Sequence, residues 1–395
     1  MKQRHAVAML LICLAAPQSC CGLALAEHDA TPPVPAEFRD AFLSLCDAAC
    51  KEFVKEITPF EEKHRTVVEP ETHHAPFFED AYGVRALAVA YDITGKPEYV
   101  SACQHWANRV ITLQEKMTPK GAYYLNYGRP PGATSGDWWV ADSGSVAMGI
   151  LATAARTTDA QEKDRYVGSV KLFAQLVLDH YITKDGGVTD GLWSQYDGPW
   201  WCSTATFSAA AYLLYDQTGD PRYLKVARNG TDWLVAHDFR RNAPPAWDVM
   251  GGMPGVVFYI GESHAIALGH LAPDDARRTA VVSQVAQMCQ WMTDHQQGRG
   301  ATSDLDYLHS ATYMSGVPYL MYVFARELPE HRDLVAGGDQ ELRYVRELVS
   351  KSGDSSISLV ETWEVVVWSM MSYAERLRPG ALYRSGPDNG AREPR

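Results

Sequence analysis

A nine-residue turn that occurs twice limits this chain's fold more than any other feature. Tyr91-Asp92-Ile93-Thr94-Gly95-Lys96-Pro97-Glu98-Tyr99 and Tyr215-Asp216-Gln217-Thr218-Gly219-Asp220-Pro221-Arg222-Tyr223 share the pattern Tyr-Asp-x-Thr-Gly-x-Pro-x-Tyr. Glycine readily takes the left-handed conformation that ends a helix, and proline suits the first turn of the next. Each copy lies between an apolar, small-residue helix and an amphipathic one, over Ala86 to Ile111 and Ala209 to Val235. Weaker copies turn at Arg156 to Asp164, His270 to Ala276 and Glu327 to His331, so the period is roughly 55 to 65 residues. A last helix, Leu359 to Leu377, has no clear following partner.

Repetition at this period marks a supersecondary unit that buries its faces against its neighbours. No run alternates apolar and polar residues as a half-buried strand would. The expected fold is therefore all-α, an (α/α)6 barrel of six helical hairpins over residues 41–378, with long loops forming a cleft. An open superhelix of helical repeats is the rival, but it would show shorter loops and a tighter period.

The chain has 395 residues, 46% hydrophobic and 11% aromatic, enough to bury a large core. Its formal net charge of −12, without a basic run in the body, argues against a nucleic-acid surface. Lys2 and Arg4, the apolar run Ala6 to Ala16 and Ala24-Leu25-Ala26 read as a signal peptide over residues 1–26. A secreted or periplasmic protein follows, with a lipoprotein anchored at Cys20 or Cys21 as the alternative. Residues 27–40 read as a Pro-rich linker and 379–395 as a flexible tail, and no run is long enough for a membrane span. Cleavage would leave Cys46, Cys50, Cys103, Cys202 and Cys289, an odd and scattered set without a disulfide or zinc framework.

The loops that lead into the inner helices carry the unusual residues. One holds Asp137-Trp138-Trp139-Val140-Ala141-Asp142-Ser143, another Pro199-Trp200-Trp201-Cys202. Paired tryptophans in Gly/Pro-rich loops suit the apolar C–H faces of sugar rings, although packing of the loops on the barrel rim explains them too. Asp142 and Asp80 stand where two inner helices begin. An acid/base carboxyl needs a raised pKa, and a pair facing each other across a cleft would serve glycoside hydrolysis. Helix capping or a first-turn acid is the structural alternative for each.

His74-Ala75-Pro76-Phe77-Phe78-Glu79-Asp80-Ala81-Tyr82-Gly83 and Trp139-Val140-Ala141-Asp142-Ser143-Gly144, each followed by a hairpin, resemble the unsaturated glucuronyl and rhamnogalacturonyl hydrolases. The third hairpin is similar as well, and the likeness extends weakly over roughly residues 70 to 375. The resemblance implies an (α/α)6 barrel acting on oligosaccharides that end in a C4=C5 unsaturated uronic acid. In that family an aspartic acid protonates the double bond and then activates water. The resemblance assigns that role to Asp142, with Asp80 as its acidic companion. One departure stands out: the family's Trp-Ala-Arg-Gly-Gln-like segment is here Trp201-Cys202-Ser203-Thr204-Ala205-Thr206, without its Arg or Gln.

Trp138, Trp139, Trp200, Trp201, Glu262, His264, Tyr307, His309 and Trp363 complete the expected substrate cleft. A lyase or uronyl epimerase is the alternative, with a Tyr or His base drawn from Tyr259, His264, Tyr307, His309 and Tyr313 beside Glu262. A non-catalytic glycan-binding barrel is a second alternative. No cofactor or metal is expected, since His73-His74 and His264/His309 lack a ligand pattern. Neither a phosphate-binding Gly-rich loop nor a Gly-x-Ser-x-Gly elbow occurs. The expected partner is an oligosaccharide substrate, and the sugar and the oligomeric state stay open.

Overall fold

The computed structural model describes residues 32–54, 77–124, 138–191, 198–237, 252–297, 307–351 and 359–383. The leader over 1–26 therefore lies outside the described residues. Twelve α-helices occur among them: α1 (Ala36–Phe53), α2 (Phe77–Thr94), α3 (Pro97–Gln114), α4 (Val140–Arg156), α5 (Ala160–His180) and α6 (Trp201–Thr218). They continue as α7 (Pro221–Ala236), α8 (Gly252–Leu268), α9 (Ala276–Gln297), α10 (Tyr307–Glu327), α11 (Leu334–Lys351) and α12 (Leu359–Leu377). Strand-like pairing among the described residues is confined to two isolated bridges.

The even-numbered helices form a closed inner ring. Each packs on the next, from α2 through α4, α6, α8 and α10 to α12, and α12 packs back on α2. The odd-numbered helices lie outside. This is the (α/α)6 barrel expected from the repeat. Inner helices are apolar on all sides, as a helix enclosed by neighbours must be: α6 is buried from Trp201 to Leu214. Outer helices bury one stripe, such as Tyr223, Val226, Ala227, Gly230, Thr231, Trp233 and Leu234 of α7.

Both copies of the nine-residue turn fold identically. Gly95 and Gly219 take φ of 69° and 68°, and each donates its N–H to the Tyr91 or Tyr215 carbonyl at 2.7 Å. Pro97 and Pro221 open α3 and α7. The aspartate of the turn reaches the following hairpin: Asp92 pairs with Arg156 at 2.6 Å, and Asp216 with His270 at 3.1 Å. The repeated motif thus stitches neighbouring hairpins as well as closing its own.

The helix without a following partner, α12, finds one from the other end of the chain. α1 packs on α12, where Phe38 meets Tyr373 edge-to-face at 5.1 Å. Tyr99 of α3 donates to Asp47 of α1 at 2.7 Å, which fixes α1 beside the first hairpin. Residues 36–40, read above as linker, are the first turn of this sixth outer helix. At the far end, residues 379–383 belong to the body and not to a tail. Gly380 N–H donates to both Glu375 carboxylate oxygens at 3.0 Å, Ala381 and Leu382 are buried, and Tyr383 donates to Glu262 at 2.6 Å. The five cysteines of the described residues are all free thiols, and no helix among those residues is long and apolar enough to cross a membrane.

Candidate active site

Asp142 is the third residue of α4, whose N-cap position is held by Trp139 without a side-chain cap. It does not cap the helix. Every other residue of α4 is buried, and Asp142 alone keeps part of its surface open. Its surroundings still hold it largely out of water, and burial lifts its carboxyl well above the usual carboxylate range. The charge of Asp190 adds to the shift. Both effects favour the protonated form of Asp142.

Asp190 was not singled out from the sequence, and a local hairpin explains its placement. Residues 181–191 fold back on themselves through the Ile182–Val188 bridge, and Thr189 donates to the Tyr181 carbonyl at 2.9 Å. Gly191 bridges to Trp139, and Trp200 N–H donates to the Val188 carbonyl at 2.8 Å. The hairpin so ties the N-termini of α4 and α6 together. Extended backbone sends alternate side chains to one face, and Val188 and Asp190 both point inward, 1% and 3% exposed.

There the Asp190 carboxylate accepts the Ser203 hydroxyl at 2.6 Å and the Ala141 N–H. Burial pushes its pKa up to about 7, while these two hydrogen bonds pull the other way. Its Oδ2 is buried without a hydrogen-bond partner among the described residues. Cys202, beside both acids, has a thiol raised far above its ordinary pKa by burial and then by the two carboxylates, so it stays protonated.

Asp80 lies in the first turn of α2, the neighbour of α4 in the ring. It is fully buried and accepts the Trp363 indole N–H at 3.1 Å. One turn further in, Tyr82 and Ser145 hydrogen-bond at 3.2 Å and hold α2 against α4. Asp80 and Asp142 thus stand on adjacent inner helices at the same end of the barrel.

The tryptophans divide. Trp138, 1% exposed, packs edge-to-face on Tyr181 at 5.4 Å and covers Gly191, so it has no free ring face. Trp200 and Trp201 meet at 5.8 Å, both buried, with Trp201 also against Tyr259 at 6.4 Å. Trp139 is the half-buried member of the four. Trp363 is buried on Phe53 and Asp80.

Two other expected cleft residues are engaged elsewhere. His264 is fully buried, donates Nε2–H to Gln284 of α9 at 2.5 Å, and has its pKa lowered to about 4 by burial. Gln284 in turn donates to the Leu234 carbonyl at 3.3 Å, so the buried His264 joins α8 to the outer helices. Glu262 is deep in the barrel, paired with the buried Arg85 at 2.7 Å. Tyr307 and His309 fall in the first turn of α10, and their side chains lie outside the described residues, as does that of Tyr313.

Fold and site together define an (α/α)6-barrel protein with carboxyls in the first turns of its inner helices. No known protein family's profile matches the chain, and no curated protein matches it. Solved structures share the fold. Dfg5 from Chaetomium thermophilum in complex with glucosamine is 14% identical at a TM-score of 0.60, over 88% of this chain and 92% of that one. A possible member of GH105 family from Salmonella enterica serovar Paratyphi A is 13% identical at 0.59, over 88% and 96%. Cellobiose 2-epimerase from Spirochaeta thermophila is 11% identical at 0.55, over 87% and 100%. Identities this low show a common fold alone.

Proposed function

We propose that this protein is an exported glycoside hydrolase of uronic-acid-containing oligosaccharides, with Asp142 as its proton donor. The observation that carries the reading is the Asp142 carboxyl: the one open residue of a buried inner helix, whose surroundings favour its protonated form. A protonated acid beside a sugar site is what hydration of a C4=C5 unsaturated uronyl residue requires. Asp142 would give its proton to the double bond, water would add to the resulting cation, and the hemiketal would release the glycan. In its protonated form the carboxyl also brings no charge against the substrate's own carboxylate. The half-buried Trp139 supplies a ring for the sugar, and the buried Asp80, held by Trp363, braces the neighbouring inner helix behind the site. The lyase or epimerase reading loses His264, which is fully buried and engaged with Gln284, and rests on Tyr259 and the α10 residues.

The test is a panel of lyase-treated and intact uronic-acid glycans, followed by absorbance near 232 nm and by mass spectrometry of the products. Loss of absorbance with addition of one water per unsaturated end supports hydration. A rise in absorbance from intact polymer would make the protein a lyase. Cleavage of saturated glycosides alone would keep Asp142 as acid and discard the unsaturated substrate.

A further inference from the structure

We propose that the outer wall of the barrel carries a second binding site, between α1, α11 and α12, for a small aliphatic zwitterion: an amino acid or a dipeptide. The site does not depend on the glycan-hydrolase reading, and none of its residues belongs to the acid site at the starts of α4 and α6.

α1 and α11 both pack on α12, and between them they leave a pocket of about 480 Å³. Pockets for small molecules run from about 300 to 1,000 Å³ and combine an apolar lining with a few placed polar groups. The floor here is aliphatic. Leu342 of α11 and Val365 of α12 are buried, and Val366 beside them is half-buried. Such a floor takes an aliphatic side chain. It offers a sugar no open aromatic face, because Tyr373, the one ring among the described lining residues, is 2% exposed and packs on Phe38.

Two hydroxyls in the pocket ask for a partner. Ser369 and Tyr373 line it at 6% and 2% exposure, and neither has a hydrogen-bond partner among the described residues. Buried polar groups are paired as a rule, and a hydroxyl can both donate and accept. A ligand amide or carboxylate would pair these two.

The rim supplies both signs of charge. Asp40 stands on the α1 side and Arg346 on the α11 side, both exposed. The remaining lining charge, Glu37, already accepts from Arg343 at 3.0 Å. Asp40 has no ion pair among the described residues, which leaves an anion for a ligand ammonium. The planar fork of Arg346 suits a carboxylate at the opposite rim. With Glu37 matched by Arg343, the charges of Asp40 and Arg346 balance. A ligand that carries both signs fits this rim better than a lone cation or anion.

The experiment is calorimetric titration of the full chain with leucine and leucylalanine, and with isopentylamine and isocaproate. The last two are leucine without its carboxylate and leucine without its ammonium. A zwitterion should bind, and loss of either charged end should weaken binding about tenfold or more. Asp40→Asn should erase the preference for leucine over isocaproate, and Arg346→Gln the preference for leucine over isopentylamine. Ala41→Trp, at a half-buried position of the pocket wall, should fill the pocket and abolish binding while the chain melts as wild type does. Tighter binding of leucylalanine supports a dipeptide as the occupant, and tighter binding of leucine an amino acid. Isopentylamine or isocaproate binding as tightly as leucine, binding that survives Ala41→Trp, or no heat from either zwitterion at millimolar concentration would overturn the proposal.

Discussion

Trp363 donates its indole N–H to Asp80 at 3.1 Å, joining the last inner helix to the first across 283 positions of sequence. The bond closes the ring at the end where the acids stand. Trp363→Phe keeps an aromatic ring against Phe53 and removes the donor from a buried carboxyl. The expected cost is about 1–2 kcal/mol, a drop of a few degrees in Tm. A melting curve unchanged from wild type would show that Asp80 does not depend on Trp363.

The acid pair also sets a pH dependence of stability. Asp142 and Asp190 bind protons more tightly folded than unfolded, so what they contribute is full below pH 4 and is lost as pH rises toward 7 and beyond. For Asp190, moving from the usual 3.8 to about 7, the loss is at most about 4 kcal/mol. Asp190→Asn should therefore melt above wild type at pH 8, with the gap closing toward pH 4. A gap that is constant with pH would contradict the raised affinity of Asp190.

His264 acts in the opposite sense. Its pKa is lowered from 6.5 to about 4, so the stability it protects is complete above pH 6.5 and is lost as pH falls toward 4. His264→Gln retains a donor for Gln284 and cannot charge. Thermal melts of the variant should be flatter than wild type between pH 6.5 and 4, and glycan turnover at neutral pH should fall little. Abolished turnover in a well-folded variant would return His264 to the catalytic residues.

Much of the fold was legible because local chemistry and topology agree. The Thr-Gly-x-Pro turns end one helix and begin the next wherever they occur, and a regular period then gives the ring. The closure was not legible. α1 has no repeat signature, and its partner α12 lies at the opposite end of the chain. Asp142 and Asp80 were readable as acids at helix starts. Asp190 was not, because its inward direction depends on an 11-residue hairpin and on Ser203 of another helix. His264 and Glu262 misled for the complementary reason. A polar residue on an apolar helix looks the same in sequence whether it faces a cleft, an outer helix or a buried arginine.

Close helix contact explains a glycine that the repeat does not. A Cβ at Gly144 would come within 2.7 Å of the Thr206 backbone and side chain, so α4 and α6 touch there. Gly144→Ala should separate them at a cost of about 1–3 kcal/mol. Asp142 lies two residues away and Ser203 on the facing helix, so turnover should fall by more than the loss of folded protein explains. A variant as stable and as active as wild type would show that the two helices can part freely.

The most direct test of the account compares kcat with binding for Asp142→Asn on the glycan that the substrate panel identifies. Asparagine matches the shape of a protonated aspartic acid but has no proton to give. The account predicts that kcat falls by between about 10²- and 10⁴-fold, while the Kd measured by calorimetry stays within a few-fold of wild type. Turnover close to wild type in this variant would contradict Asp142 as the proton donor, and with it the function proposed for the barrel.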